Sequence, residues 1–182
     1  MHRNPLLQKL HAYHPSDPHE IAMLQRIIAF VENHSDCFER SQLSGHITAS
    51  ALVVNQQRSH TLMTHHHKLE KWLQLGGHSD GDPNPLSVAL REAEEESGIQ
   101  GIVPISMEIF DVDVHPIPAR KQEPEHFHYD IRFLFEADDA QALTITAESK
   151  DLAWIPLKQI GRYTMEESIL RMVKKLNSFT SV

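Results

Sequence analysis

The sequence predicts an α/β sandwich in which helices cover a mixed β-sheet. Three observations lead there: segments alternate in the order helix, strands, helix, strands, helix; the helical segments repeat apolar residues every three or four positions; and the strand segments are closed by turn residues. At 182 residues with 40% hydrophobic content, the chain is long enough for one domain with a substantial core.

Taken in order, Asp17-Pro18-His19-Glu20 forms a capped helix start, followed by Ile21, Leu24, Ile27, Ile28 and Val31 at helical spacing. His46 to Asn55 and His60 to His66 read as strands around a polar turn at Gln56-Gln57-Arg58. Trp72-Leu73-Gln74-Leu75 then leads into Gly76 and Gly77. In the next segment Asn84 can cap a helix and Pro85 suits its first position, Leu86, Ala89, Leu90 and Ala93 share one apolar face, and Gly98 is a stop signal. Ile109 to His115 and His126 to Ala137 are two further strands, separated by a loop with Pro116, Pro118 and Pro124. Trp154 to Leu157 is a short late strand. Thr164-Met165-Glu166-Glu167 is a capping box for a closing helix that turns Ile169, Leu170, Met172, Val173 and Leu176 inward. Residues 1–40 are expected to form a helical extension packed on a main domain of residues 41–182.

Composition narrows the setting. Met1 to Asp17 is too polar for a signal-peptide core, and no apolar run approaches the roughly 18 residues of a membrane span. Cys37 is the only cysteine, which excludes an internal disulfide and suits a reducing cytoplasm, with Cys37 as a small core residue. A formal net charge of −8 argues against general binding to nucleic-acid backbones and leaves room for a local pocket that takes one phosphorylated small molecule.

The unusual segment is Arg91-Glu92-Ala93-Glu94-Glu95-Glu96-Ser97-Gly98-Ile99. At about 100° per residue, Glu92, Glu95 and Glu96 fall on one arc of roughly 100°, while Glu94 falls off it into solvent. Arg91 lies one turn from Glu95. These acids occupy the last turns, where the helix dipole disfavours negative charge. Two carboxylates about 5 Å apart repel by roughly 3 kcal/mol at an effective dielectric of about 20. A divalent cation with a preference for oxygen ligands converts both penalties into attraction.

This segment, with Gly77 upstream, resembles the signature of the Nudix hydrolase superfamily: G, five residues, E, seven residues, then R-E-U-x-E-E-x-G-U with U aliphatic. One specified position departs, because Pro83 stands where the family usually has its first Glu, and Asp80 or Asp82 on the same loop are the substitutes on offer. The resemblance covers about residues 40 to 178. It implies a Nudix-like α/β/α sandwich and a hydrolase that cleaves a diphosphate linkage, in a nucleoside diphosphate attached to another moiety, by water attack on phosphorus. It also implies Mg²⁺ or Mn²⁺ held by Glu92, Glu95, Glu96 and the Gly76 carbonyl, with the general base drawn from the same acids. Arg91 is then expected to hold the carboxylates by charge-assisted hydrogen bonds. Glu148, in Thr146-Ala147-Glu148-Ser149-Lys150, is the downstream candidate for an extra ligand or base. Pairing into a homodimer would be a common arrangement for this fold. Two alternatives share it: a non-catalytic nucleotide sensor, which should have eroded acids, and an isopentenyl diphosphate isomerase, whose catalytic cysteine motif Cys37 does not match.

Histidines supply a second theme. His65-His66-His67-Lys68 ends a strand, where one or two side chains, His66 and Lys68 among them, could meet substrate phosphates or simply form an exposed strand end. Asp111, Asp113 and His115 alternate on one strand and His126, His128 and Asp130 on another. If the strands pair, one face carries a polar patch that could hold a second metal, read a base or sugar, or form a structural hydrogen-bond network. Arg120 and Lys121 on the intervening loop could clamp a terminal phosphate.

Overall fold

A computed structural model describes residues 2–119, 124–147 and 149–179. The chain divides into two compact units, one of Met1–Ser50, Gly77–Ala89 and Ser106–Phe133, the other of Ala51–Gly76, Leu90–Ile105 and Leu134–Val182. Among the described residues the elements are α1 (Asn4–Ala12), α2 (Pro18–Asn33), β1 (Gly45–Asn55), β2 (His60–His66), β3 (Trp72–Leu73), β4 (Leu75–His78), α3 (Pro85–Ser97), β5 (Val103–Pro104), β6 (Asp111–Ile117), β7 (His126–Ala137), β8 (Ser149–Pro156), a 3-10 helix (Leu157–Arg162) and α4 (Glu167–Phe179). The described strands join in one sheet ordered β3-β2-β1-β7-β5, with β4 on β1, β6 on β7 and β8 on β2. The architecture is the expected α/β one.

In the first unit, the Asp17 side chain accepts the Glu20 backbone N–H at 3.0 Å, so α2 starts on the cap that the sequence encodes. Met23, Leu24, Ile27, Phe30 and Val31 are its buried face. Ile21 is exposed and Ile28 only half-buried, because the stripe runs through Met23 and Phe30 rather than through every aliphatic residue. Helix α1 was not anticipated. It buries Leu6 and Leu10, and Tyr13 at its end donates its hydroxyl to Glu20 at 2.6 Å. Cys37 is fully buried, and burial pushes its thiol up to about 11. Gly45 opens β1 at φ +147, and a Cβ there would lie 2.3 Å from the Phe127 carbonyl oxygen, so only glycine lets the backbones approach this closely.

Strands β6 and β7 pair antiparallel with Asp113 opposite Asp130 and His115 opposite His128. The strand expected from Ile109 starts two residues later, at Asp111, and runs on through Pro116 to Ile117.

In the second unit β2 and β8 pair antiparallel along their length, from His60 opposite Pro156 to His66 opposite Ser149, with a bulge at His65/His66. The late strand is therefore longer than expected: Ser149 to Ala153 were hidden by their polar composition, and Thr64 and Ser149 in fact share a buried hydroxyl bond of 2.7 Å. The capping box at Thr164 also shifts. Thr164 Oγ1 accepts the Glu166 N–H at 3.2 Å, and the Glu166 carbonyl takes the first helical bonds from Ile169 and Leu170. Ile169, Met172, Val173 and Leu176 are buried, whereas Leu170 is half-buried. No described helix is long and apolar enough to cross a membrane.

Candidate functional site

In the second unit, the C-terminal half of α3 presents Glu92, Glu95 and Glu96 to one cleft of about 290 Å³, whose other lining residues are Thr146 and Ala147. The arc read from helical periodicity thus becomes a shared wall. Glu95 is exposed, Glu92 and Glu96 are half-buried, and Glu94 lies off the lining but is half-buried rather than fully solvated. The Arg91 Nη2 donates to Glu92 Oε1 at 2.9 Å, so the arginine holds the acid beside it. The Gly76 backbone N–H donates to Glu96 Oε2 at 3.3 Å, which brings the last residue before the signature glycine onto the acidic face.

Backbone geometry fixes the opposite wall. Gly98 ends α3 at φ +74, and a Cβ there would meet Thr144 Oγ1 at 2.6 Å. The Thr144 N–H donates to the Ser97 carbonyl at 2.8 Å, tying the segment before Thr146 to the helix end. Thr146 Oγ1 is buried without a hydrogen-bond partner. The last turn of α3 carries neither lysine nor arginine, and the cation paired with Glu92 is Arg91 beside it. Oxygen donors converging on one cleft, one of them an orphaned hydroxyl, suit a hard divalent cation such as Mg²⁺ or Mn²⁺. Glu148, the downstream candidate, lies outside the described residues, as do Arg120 and Lys121.

Of the strand-end residues, His66 spends its Nδ1 on the turn, accepting the Lys68 and Leu69 N–H groups at 3.2 Å each. Lys68 is exposed. In the first unit, Asp80 pairs with Arg40, with Nη2 at 2.7 Å from Oδ2, and Asp82 Oδ1 accepts the Asn84 N–H at 2.9 Å. Both substitutes for the acid missing at Pro83 thus have local partners.

The polar face of β6 and β7 separates into two parts. Arg132, which sequence reasoning missed, lies buried with its guanidinium 2.7 Å from Asp130, 3.3 Å from Asp113 and 3.4 Å from Asp111. Burial pulls its pKa down, and the three aspartates more than reverse this, leaving it above the ordinary value. Thr48 and Ser50 donate to Asp130 at 3.0 and 2.8 Å, completing a structural network. The second part is a cluster of imidazoles. His46, His78 and His128 have ring centroids 4.9–5.0 Å apart, with His126 at 5.1 Å from His46 and His115 at 5.4 Å from His128. Burial first, then neighbouring cationic and imidazole groups, hold His46 and His78 at about 4 and His128 at about 2, so all three are neutral near pH 7. Nε2 of His128 is buried without a hydrogen-bond partner, a cost of about 1–3 kcal/mol for an unmet group, and both ring nitrogens of His46 are buried with only a weak approach to the Gln42 backbone. The missed signal was the alternation His46, Thr48, Ser50 on a strand buried throughout, which marks a polar face inside the core.

The fold and the acid-bearing helix define a family. The chain belongs to the NUDIX domain family, whose sequence model matches residues 45–176. Over 99 residues it is 33% identical to a protein of Lactococcus lactis subsp. cremoris (strain MG1363) described as a probable DHNTP pyrophosphohydrolase. That match takes in 53% of this chain and 57% of the relative, so the chain spans little more than half the length of that curated relative. A C. elegans Ap4A hydrolase in a binary complex superposes with a TM-score of 0.60 at 14% identity, covering 74% of this chain and 97% of that one. The E. coli dihydroneopterin triphosphate pyrophosphohydrolase gives a TM-score of 0.53 at 12% identity, over 71% of this chain and 92% of that one. At such identities these structures establish the fold alone.

Proposed function

We propose that the protein is a metal-dependent hydrolase that cleaves a diphosphate linkage in a nucleotide-like small molecule, by water attack on phosphorus. One observation carries this: Glu92, Glu95 and Glu96, in register with the signature, line a single cleft. Family membership and the relative described as a pyrophosphohydrolase support the same reaction class.

Glu92, Glu95, Glu96 and the Gly76 carbonyl would hold the cation, which on binding neutralises phosphate oxygens and lowers the pKa of the attacking water. Arg91 keeps Glu92 aimed. The Gly76 N–H restrains Glu96, while exposed Glu95 stands open to the incoming diphosphate. The water oxygen bonds to phosphorus, the bond from phosphorus to the bridging oxygen breaks, and a carboxylate of this set takes the water's proton. Such chemistry asks for positioning and charge neutralisation, with no protein nucleophile. Lys68, exposed beyond the His66 turn, is the cation in this unit offered for substrate phosphates. Residues 41–182 serve as the catalytic domain and residues 1–40 as an extension packed upon it.

A panel of diphosphate compounds tests the reading, among them dihydroneopterin triphosphate, a dinucleoside tetraphosphate, ADP-ribose and nucleoside triphosphates. Phosphate or pyrophosphate release is followed with and without Mg²⁺ or Mn²⁺. Turnover of at least one member that vanishes with chelator is the expected result; metal binding at the acidic cleft without turnover of any member would favour a sensor.

A further inference from the structure

We propose that His46, His78 and His128 form a binding site for one divalent transition metal ion of the zinc class, separate in chemistry from the carboxylate cleft. The three residues come from the start of β1, the end of β4 and β7, all in the first unit. Their ligand nitrogens all lie within 4.8 Å of one another. The centre of a triangle with such sides is about 2.8 Å from its corners, and zinc–imidazole bonds are about 2.0–2.1 Å, so a side-chain closure on the order of 1 Å completes the site.

Two further observations point to a ligand. Nε2 of His128 is buried and unpartnered, and His46, only 4% exposed, has both ring nitrogens buried with no more than a weak approach to the Gln42 backbone. A buried imidazole without partners is a standing cost, and metal coordination removes it by giving the lone pair an acceptor. The donor type selects the metal. Neutral imidazole nitrogens suit zinc, nickel, copper and iron, whereas the oxygen donors of the acidic cleft suit magnesium and manganese.

Supporting groups stand around the triad. His126 Nδ1 donates to the Pro124 carbonyl at 2.9 Å, which holds its ring beside those of His46 and His128. The His115 ring, with Nδ1 3.6 Å from Asp113 Oδ2, is a fifth imidazole, 5.4 Å from that of His128. Three protein nitrogens leave a fourth tetrahedral position open for water or a ligand atom. Bound there, the ion ties three separate strands together.

The test uses full-length protein stripped with chelator, reloaded with Zn²⁺, desalted and assayed for metal, in wild type and in Glu95→Gln. Both should retain about one equivalent and gain thermal stability on reloading. His46→Ala, His78→Ala and His128→Ala should each lose the retained ion, with near-UV circular dichroism reporting on folding. Should a variant fail to fold, X-ray absorption on zinc-loaded wild type decides independently: three nitrogen scatterers at about 2.0–2.1 Å are expected. No retained zinc in wild type, undiminished zinc in folded histidine variants, or an all-oxygen shell would each overturn the site.

Discussion

Single residues set the tolerances of this chain. Gly45 lies at φ +147, where a side chain is strained, and an added Cβ would sit 2.3 Å from a backbone oxygen that cannot swing aside. Gly45→Ala should therefore destabilise by roughly 2–3 kcal/mol and lower the melting temperature by several degrees, read by differential scanning calorimetry. Arg132 is more consequential. It is the buried cation among Asp111, Asp113 and Asp130, so Arg132→Met strands carboxylates in the interior and should cost about 3–5 kcal/mol, seen as a lower urea midpoint. A midpoint within error of wild type would mean that the aspartates find other partners. In His126-Phe127-His128-Tyr129-Asp130-Ile131-Arg132 the arginine reads as one more polar residue of the alternation; its nearest counter-charge, Asp130, lies two residues before it on the same face, and only the register opposite Asp111 adds the aspartates of β6.

Elements carry the two sites by different means. Helix α3 was legible because a 3.6-residue period places Glu92, Glu95 and Glu96 on one arc whatever the tertiary fold, and they do share a cleft. Its apolar face was less legible: Val88, Ala89 and Ala93 are fully buried, while Leu86 and Leu90 are half-buried, since small residues fit where the helix packs closely. The histidines of β1, β4 and β7 depend on strand pairing, which no local pattern fixes. Their titration has a definite sign. His46 and His78 fall from 6.5 to about 4 on folding, so the unfolded chain binds more protons below pH 6.5. Stability from this source is complete above pH 6.5 and is lost as pH falls toward 4. Metal-free protein should show a lower urea midpoint at pH 5.5 than at 7.5; equal midpoints would mean that these imidazoles stay solvated.

At the scale of the whole molecule, the family was readable from a 23-residue stretch, Gly77 to Ile99, because its signature sets glycine, arginine and acid positions at fixed spacing. Helix α1 and the polar half of β8 were not readable. Their stabilisation comes from long-range partners, as in the pairing of His65 with Asp151 and the hydroxyl bond of Thr64 with Ser149. The measurement that bears most directly on the acidic cleft as the hydrolytic centre is kcat on the best diphosphate substrate, in saturating Mg²⁺, for wild type, Glu95→Gln and Glu96→Gln. A fall of at least about 100-fold in each variant, with melting temperature unchanged, is the predicted result. Near-normal kcat in either folded variant would contradict it.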